Sequence, residues 1–162
     1  MKTKFIFLFI LSFSTIFAQN IKQVISQDSL IGIWQADNNL LAAGLADNYQ
    51  FFKDNTFKYN FNSMSCGLRR LWSILGNYKL MNNELILTIN STFESVGGHI
   101  EAGGIEEGEK GFVIVGDEMK IIDQKETSIL HLLLNGYDIK DNSLEIDFRK
   151  FYKLNSNPNV FN

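Results

Sequence analysis

Apolar and polar residues alternate with period two along most of this chain, and turn-forming residues break the alternation at short intervals. The clearest unit is "NYQFFKDNTFKYNFN", residues 48 to 62. Phe57, Tyr59 and Phe61 fall on one face, Lys58 and Asn60 on the other, and Asp54 and Asn55 supply a tight turn. Residues 71 to 93 predict a second hairpin, with Trp72, Ile74, Gly76, Tyr78 and Leu80 on one face and a turn at Asn82-Asn83. Its return strand puts Leu85, Leu87, Ile89 and Phe93 on one side. A glycine on the apolar face permits a sharp bend there.

Further strands are expected at residues 111 to 116 and 118 to 123, joined at Gly116-Asp117, then at 128 to 134 and 143 to 154. Only "NNLLAAGLAD", residues 38 to 47, resists a strand reading, and its near-helical spacing predicts a short helix after the first strand. The expected fold is therefore all-β, about eight to ten antiparallel strands joined by hairpins. A sheet with one apolar face per strand buries that face and removes its edges by closing into an up-and-down barrel. A β-sandwich would satisfy the same alternation, but short nearest-neighbour connections favour the barrel.

The domain limits follow from composition. Residues 1 to 18 read as a signal peptide: Lys2 and Lys4, then an apolar run from Phe5 to Phe17, then the small residue Ala18. That run falls short of the roughly 20 residues of a spanning helix, so no membrane insertion is expected after cleavage. Residues 19 to 29 form a lead-in, 30 to 154 the barrel, and 155 to 162 a flexible tail. The chain would be exported, to the periplasm or the exterior. Removing the two lysines takes the formal net charge from −3 to −5. A mildly acidic chain without a basic run speaks against nucleic acid as a partner. Cys66 is the single cysteine, so no internal disulfide supports the fold.

The order of motifs carries a resemblance. "GIW" at residues 32 to 34, "YQFFKDNTFKY", "GNYKLMNNELIL" and the closing "FRKFYKL" together resemble the lipocalin-like (calycin-like) domains of secreted bacterial proteins. The resemblance spans about residues 30 to 154. It implies that Gly32 lets two backbones approach, that Trp34 plugs the closed end of a barrel, and that Arg149 packs over the tryptophan as a cation–π contact. It also implies that Leu40, Leu41 and Leu45 lie in the loop over the open mouth, either as a lid or as a packed cap. The other characteristic lipocalin motifs are not recognisable, so a shared fold does not imply a shared ligand.

An eight-stranded barrel is either filled by its own side chains or holds one small ligand. Phe57, Tyr59, Phe61, Trp72 and Tyr78 are the candidate lining of such a cavity, suited to a hydrophobic or amphipathic molecule. The alternative is a packed barrel that binds a protein partner through its loops, with an enzyme on a calycin-like scaffold as a distant third. The glycine- and glutamate-rich stretch from residue 95 to 111, with His99, Glu101, Glu106, Glu107 and Glu109, reads as a solvated loop. It matches no calcium-loop spacing, and His99 and His131 alone make no zinc site, so no metal or other cofactor is expected. No nucleophile elbow, catalytic Cys/His pattern or phosphate loop is present, which argues for binding rather than catalysis.

Overall fold

In the computed structural model, residues 25–38, 46–62, 68–103 and 111–160 are described. Eight antiparallel strands close a ring in chain order: β1 Gly32–Ala36, β2 Asn48–Phe51, β3 Thr56–Asn60, β4 Leu71–Met81, β5 Glu84–Ala102, β6 Phe112–Asp138, β7 Ser143–Ile146 and β8 Arg149–Asn155. The expected all-β up-and-down barrel is the architecture observed. One short helix, α1 Gln27–Leu30, precedes β1 and lies across one end of the ring. Ser26 caps it, its Oγ accepting from the Ser29 amide at 3.3 Å. The helix expected at residues 38 to 47, with Leu40, Leu41 and Leu45, lies largely outside the described residues, as do the signal segment and Cys66.

The ring closes at the β1–β8 seam, where residues from Ile33 to Ala36 pair with residues from Asn155 to Phe151 across a bulge at Ile33/Trp34. A Cβ on Gly32 would stand 2.3 Å from the Asn155 carbonyl oxygen, so only glycine allows this approach. Trp34 is 1% exposed and its indole Nε1 donates to the Leu30 carbonyl at 2.6 Å, tying α1 to the floor of the barrel. The cation over the Trp34 ring is Lys153, with Nζ 5.1 Å from the centroid. Arg149 does not take that place. Lys153 is the register partner of Trp34, whereas Arg149 starts β8 four residues earlier, at the opposite end of the barrel.

The core fills the α1 end. Leu30, Phe51, Phe57, Leu85, Leu87, Leu134, Leu144, Ile146 and Phe151 are all at most 3% exposed. Gly76 sits in the wall of this core at a register shift between Leu75 and Gly76, and a Cβ there would stand 1.9 Å from the Thr88 carbonyl oxygen. The outer face of β1 to β4 is buried too, and it is polar. Gln35, Asn48, Asn60 and Ser73 lie in one transverse register, and Asn60 Nδ2 donates to Asn48 Oδ1 at 2.9 Å while Ser73 Oγ donates to Asn60 Oδ1 at 2.8 Å. The tail expected to fray returns over this face: Pro158 is buried, and its carbonyl accepts from Gln50 Nε2 at 3.2 Å.

Four details of the strand reading change. Residues 111 to 123 do not turn at Gly116-Asp117, because Val115 pairs with His99 and Asp117 with Gly97 in one unbroken ladder. β5 runs to Ala102 and β6 starts at Phe112, so Ser95–Ala102, read as loop, is strand. Residues 143 to 154 are two strands, because Asp147 and Phe148 adopt φ of 48° and 67° and reverse the chain. Phe93 turns outward: a bulge at Asn90 inserts one residue into β5, which moves Thr92 to the inner face beside Ile74 and Phe93 to the outer face beside Ser73.

Trp34→Ala is expected to destabilise the protein by about 3–5 kcal/mol, because it empties the floor of the barrel. Gly76→Ala is expected to cost about 1–3 kcal/mol through overpacking against β5. Urea denaturation followed by circular dichroism checks both, and a loss under about 1 kcal/mol for Trp34→Ala would contradict its place as the floor.

Candidate functional site

Alternation of hairpins sets the two ends of the barrel apart. The β2–β3, β4–β5 and β6–β7 turns gather at the α1 end. Gln27 holds two of them there, its Nε2 donating to Asn55 Oδ1 and its Oε1 accepting from the Leu80 amide at 3.2 Å. The opposite end, the mouth, carries the longer connections β1–β2 and β3–β4, the β5–β6 arm, and the β7–β8 turn.

A chain of aromatic rings runs from the floor towards the mouth. Tyr78 packs on Phe51 at 4.8 Å between centroids, Phe51 on Tyr49 at 5.3 Å, Tyr49 on Tyr59 at 4.6 Å and Tyr59 on Phe61 at 5.1 Å. Burial falls along it: Tyr78 and Phe51 are buried, while Tyr59 and Phe61 are half-buried. The five residues expected to line a cavity therefore divide. Phe57 and Tyr78 belong to the sealed core, and Tyr78 is held there by its hydroxyl, which donates to the Phe52 carbonyl at 3.1 Å. Tyr59, Phe61 and Trp72 stand at the mouth, where the Phe61 amide donates to the Trp72 carbonyl at 3.1 Å.

Trp72 sits at a bulge between Leu71 and Ser73, half-buried. Its indole Nε1 is buried and has no hydrogen-bond partner among the described residues. Gln35 Oε1 is the other such atom, but it belongs to the outer face of β1, on a side chain whose Nε2 already donates to the Asn38 carbonyl. An indole N–H can only donate, so Trp72 presents a buried donor that has no acceptor among the described residues.

Charge closes the rim. Arg149 reaches both stems of the β1–β2 connection, with Nη2 2.6 Å from Asp37 Oδ2 and Nη1 2.7 Å from Asp47 Oδ2. Asp47 also accepts from the Asn62 amide at 2.7 Å, which joins the β3–β4 connection to the same cluster. This role for Arg149 could not be read from its sequence position, because Asp37 and Asp47 lie about a hundred residues away. The guanidinium beside Asp37 holds that carboxyl below the usual range. Burial, with Asp47 nearby, pushes the Tyr59 phenol up to about 12, and burial first, then the acidic side chains of Asp28 and Asp54, pushes Tyr78 up to about 12. Burial raises Tyr49 as well. Arg69 lies over the Phe61 ring at 5.6 Å, and Arg70 Nη1 donates to the Gly97 carbonyl at 2.8 Å, so the adjacent arginines serve the rim and the root of the arm.

The histidines stay apart. His99 pairs with Glu101 at 2.6 Å on the arm, and His131 with Glu84 at 3.0 Å on the outer wall. Among the described residues no three His, Cys, Asp or Glu side chains come together as metal ligands would. Glu106, Glu107 and Glu109 lie outside the described residues.

The architecture and the mouth define the class of this protein: an eight-stranded antiparallel β-barrel, floored by a tryptophan and rimmed by an arginine–aspartate cluster. The chain matches no protein-family model, no curated protein and no solved structure.

Two pH effects follow. A phenol whose folded pKa exceeds its unfolded value near 10 contributes stability that is complete below about pH 10 and lost as pH rises towards 12. Ultraviolet titration of the native protein is therefore expected to show Tyr49, Tyr59 and Tyr78, of five tyrosines, still protonated at about pH 11, with ionisation accompanying alkaline unfolding. The carboxyl of Asp37 runs the other way. Its depressed pKa contributes stability above about pH 4 that is lost as pH falls below it. The stability difference between wild type and Arg149→Met should then shrink in thermal melts taken below about pH 4.

Proposed function

We propose that this barrel is a non-catalytic binding protein, lipocalin-like and exported, whose mouth takes a small hydrophobic or amphipathic molecule. The observation that carries the reading is the buried Trp72 Nε1, unpartnered among the described residues, on a residue whose carbonyl accepts from the amide of Phe61, next to the half-buried Phe61–Tyr59 ring pair. A buried donor without an acceptor costs about 1–3 kcal/mol, and a ligand carbonyl, carboxylate or ether oxygen would recover part of that. Apolar walls with a few placed polar groups are the usual form of a small-molecule site. Tyr59, held protonated by its surroundings, offers its hydroxyl as a second polar group for orientation. The Gly32–Trp34 floor and the Lys153 cation over it support the lipocalin-like reading, with a lysine where the resemblance implies an arginine.

The first test is native mass spectrometry of the protein purified from a secretory host, followed by denaturing mass measurement of the same sample. A discrete additional mass lost on denaturation is expected. Anilinonaphthalene sulfonate then serves as a fluorescent probe of the mouth. Trp72→Phe is expected to weaken its binding, or that of the extracted molecule, about 3- to 10-fold, the value of one hydrogen bond. Tyr59→Ala should weaken it further while the melting transition stays cooperative. Bare chain mass together with probe binding unchanged in both variants would overturn the reading.

A further inference from the structure

β6 is far longer than the ring requires. It pairs with β7 only from Leu134 onwards, and over residues 112 to 133 the edge facing away from β5 has no strand partner among the described residues. Beyond the bulge opposite Asn90, residues 91 to 102 and 112 to 123 pair in regular antiparallel register; β4 accompanies β5 only as far as Glu94, so residues 95 to 102 and 112 to 119 form a two-stranded ribbon. Arg70 and the Ser95 amide fasten its root to the chain just before β4. The paired stretch is strongly apolar for something exposed: Val96, Ile100, Phe112, Val115, Met119 and Ile121 are 37% to 62% exposed. A long free edge with apolar neighbours is a template for pairing with another strand.

From this geometry we infer that a second copy of this chain covers that edge, the two β6 strands pairing antiparallel about a two-fold axis centred on Met119. Charge selects the copy and the register. Residues facing each other across such an axis must point to the same side of the sheet, so the axis passes through a residue position. Centring it on Asp117, Glu118 or Lys120 sets a charge against its own copy. Centring it on Met119 sets Glu118 opposite Lys120 twice, Met119 opposite itself, Asp117 opposite Ile121 and Val115 opposite Asp123. Within the regularly paired run this register alone places opposite charges across the axis. Glu118 and Lys120 already lie on one side of the strand, 2.7 Å apart and half exposed, so each lysine would be shared between two carboxylates.

Extent agrees with a dimer. The free edge covers 22 residues, about 70 Å at ~3.3 Å per residue. Centred on Met119, the pairing engages residues 112 to 126 of each copy, about 50 Å of strand at ~3.3 Å per residue. Two-fold pairing also closes on itself: residues 112 to 126 of the two β6 edges satisfy each other, and the contact does not propagate into a chain of copies.

Sedimentation velocity of the purified full chain over 1 to 200 µM is expected to show a monomer–dimer equilibrium. Lys120→Glu sets glutamates against glutamates and should weaken the dimer about tenfold or more. The double exchange Glu118→Lys/Lys120→Glu restores opposite charges and should restore it, which loss of folding would not do. In a Cys66→Ser background, Met119→Cys should form a disulfide-linked dimer under mild oxidation, because it faces its own copy. A monomer throughout the range, a dimer indifferent to Lys120→Glu, open-ended polymers, or a double exchange that fails to rescue would each overturn the proposal.

Discussion

A ring of eight strands exists only if its first and last strands can meet, and here that meeting is crowded. β1 must deliver Trp34 to the floor while β8 passes close enough to pair with it. Gly32 makes the approach possible, since any Cβ would occupy the place of the Asn155 carbonyl. The bulge at Ile33/Trp34 then aims the indole inward, and Lys153 lies over it from the partner strand. Burial holds the Lys153 ammonium below the usual lysine range, yet its Nζ donates to the Ser29 carbonyl at 3.0 Å, so the cation joins seam, floor and helix. The remaining strands can hold their registers because this closure removes the edges that would otherwise let them slip.

From that floor the order of the interior follows. Large rings stacked from Tyr78 to Phe61 fill the barrel from one end, and each successive ring is supported by the one below it. Among the described residues the stack has no equivalent of α1 at its upper end. There the side chains become half-buried, the bonds become ionic, and Trp72 keeps a donor unused. Among the described residues the barrel is thus packed at one end and keeps an unpartnered donor at the other. Binding at the mouth is consistent with this gradient, because a ligand there need not displace the core that gives the fold its stability.

Period-two alternation was enough to place seven of the eight strands at least in part, since a half-buried strand has to alternate. What escaped the sequence was local. Gly116-Asp117 has the composition of a hairpin turn, but Gly97 and its neighbours in β5 continue the ladder past it, and pairing outweighs local preference. Phe148 has none of the turn residues' chemistry, yet it adopts a positive φ because β7 and β8 must join in two residues. The bulge at Asn90 was equally hidden, and it decides which side Thr92 and Phe93 face. At the mouth, the half-buried aromatics were legible as one face of a hairpin. The salt links of Arg149 were not, because they depend on closure bringing residue 149 beside 37 and 47.

That bulge also separates the molecule's two surfaces. Four residues of β6, Gln124 to Thr127, stand against Asn90 alone, so the pair of strands leaves the curvature of the ring at this point. Below it, the inner face of β5 carries Leu85 and Leu87 into the core; above it Thr92 and Ser95 are still buried, and from Val96 to Ala102 every residue of β5 is exposed. Apolar side chains there cannot contribute to the stability of the monomer, and a ribbon of two strands is marginal by itself. Gln124 Nε2 does bond Thr92 Oγ1 at 3.1 Å, and Arg70 holds the carbonyls of Ser95 and Gly97, so the root is fixed to the barrel. The length beyond the root has no such ties to the ring. Its order has to come from something that supplies both hydrogen bonds along β6 and apolar neighbours above it, and a strand of the same sequence supplies both at once.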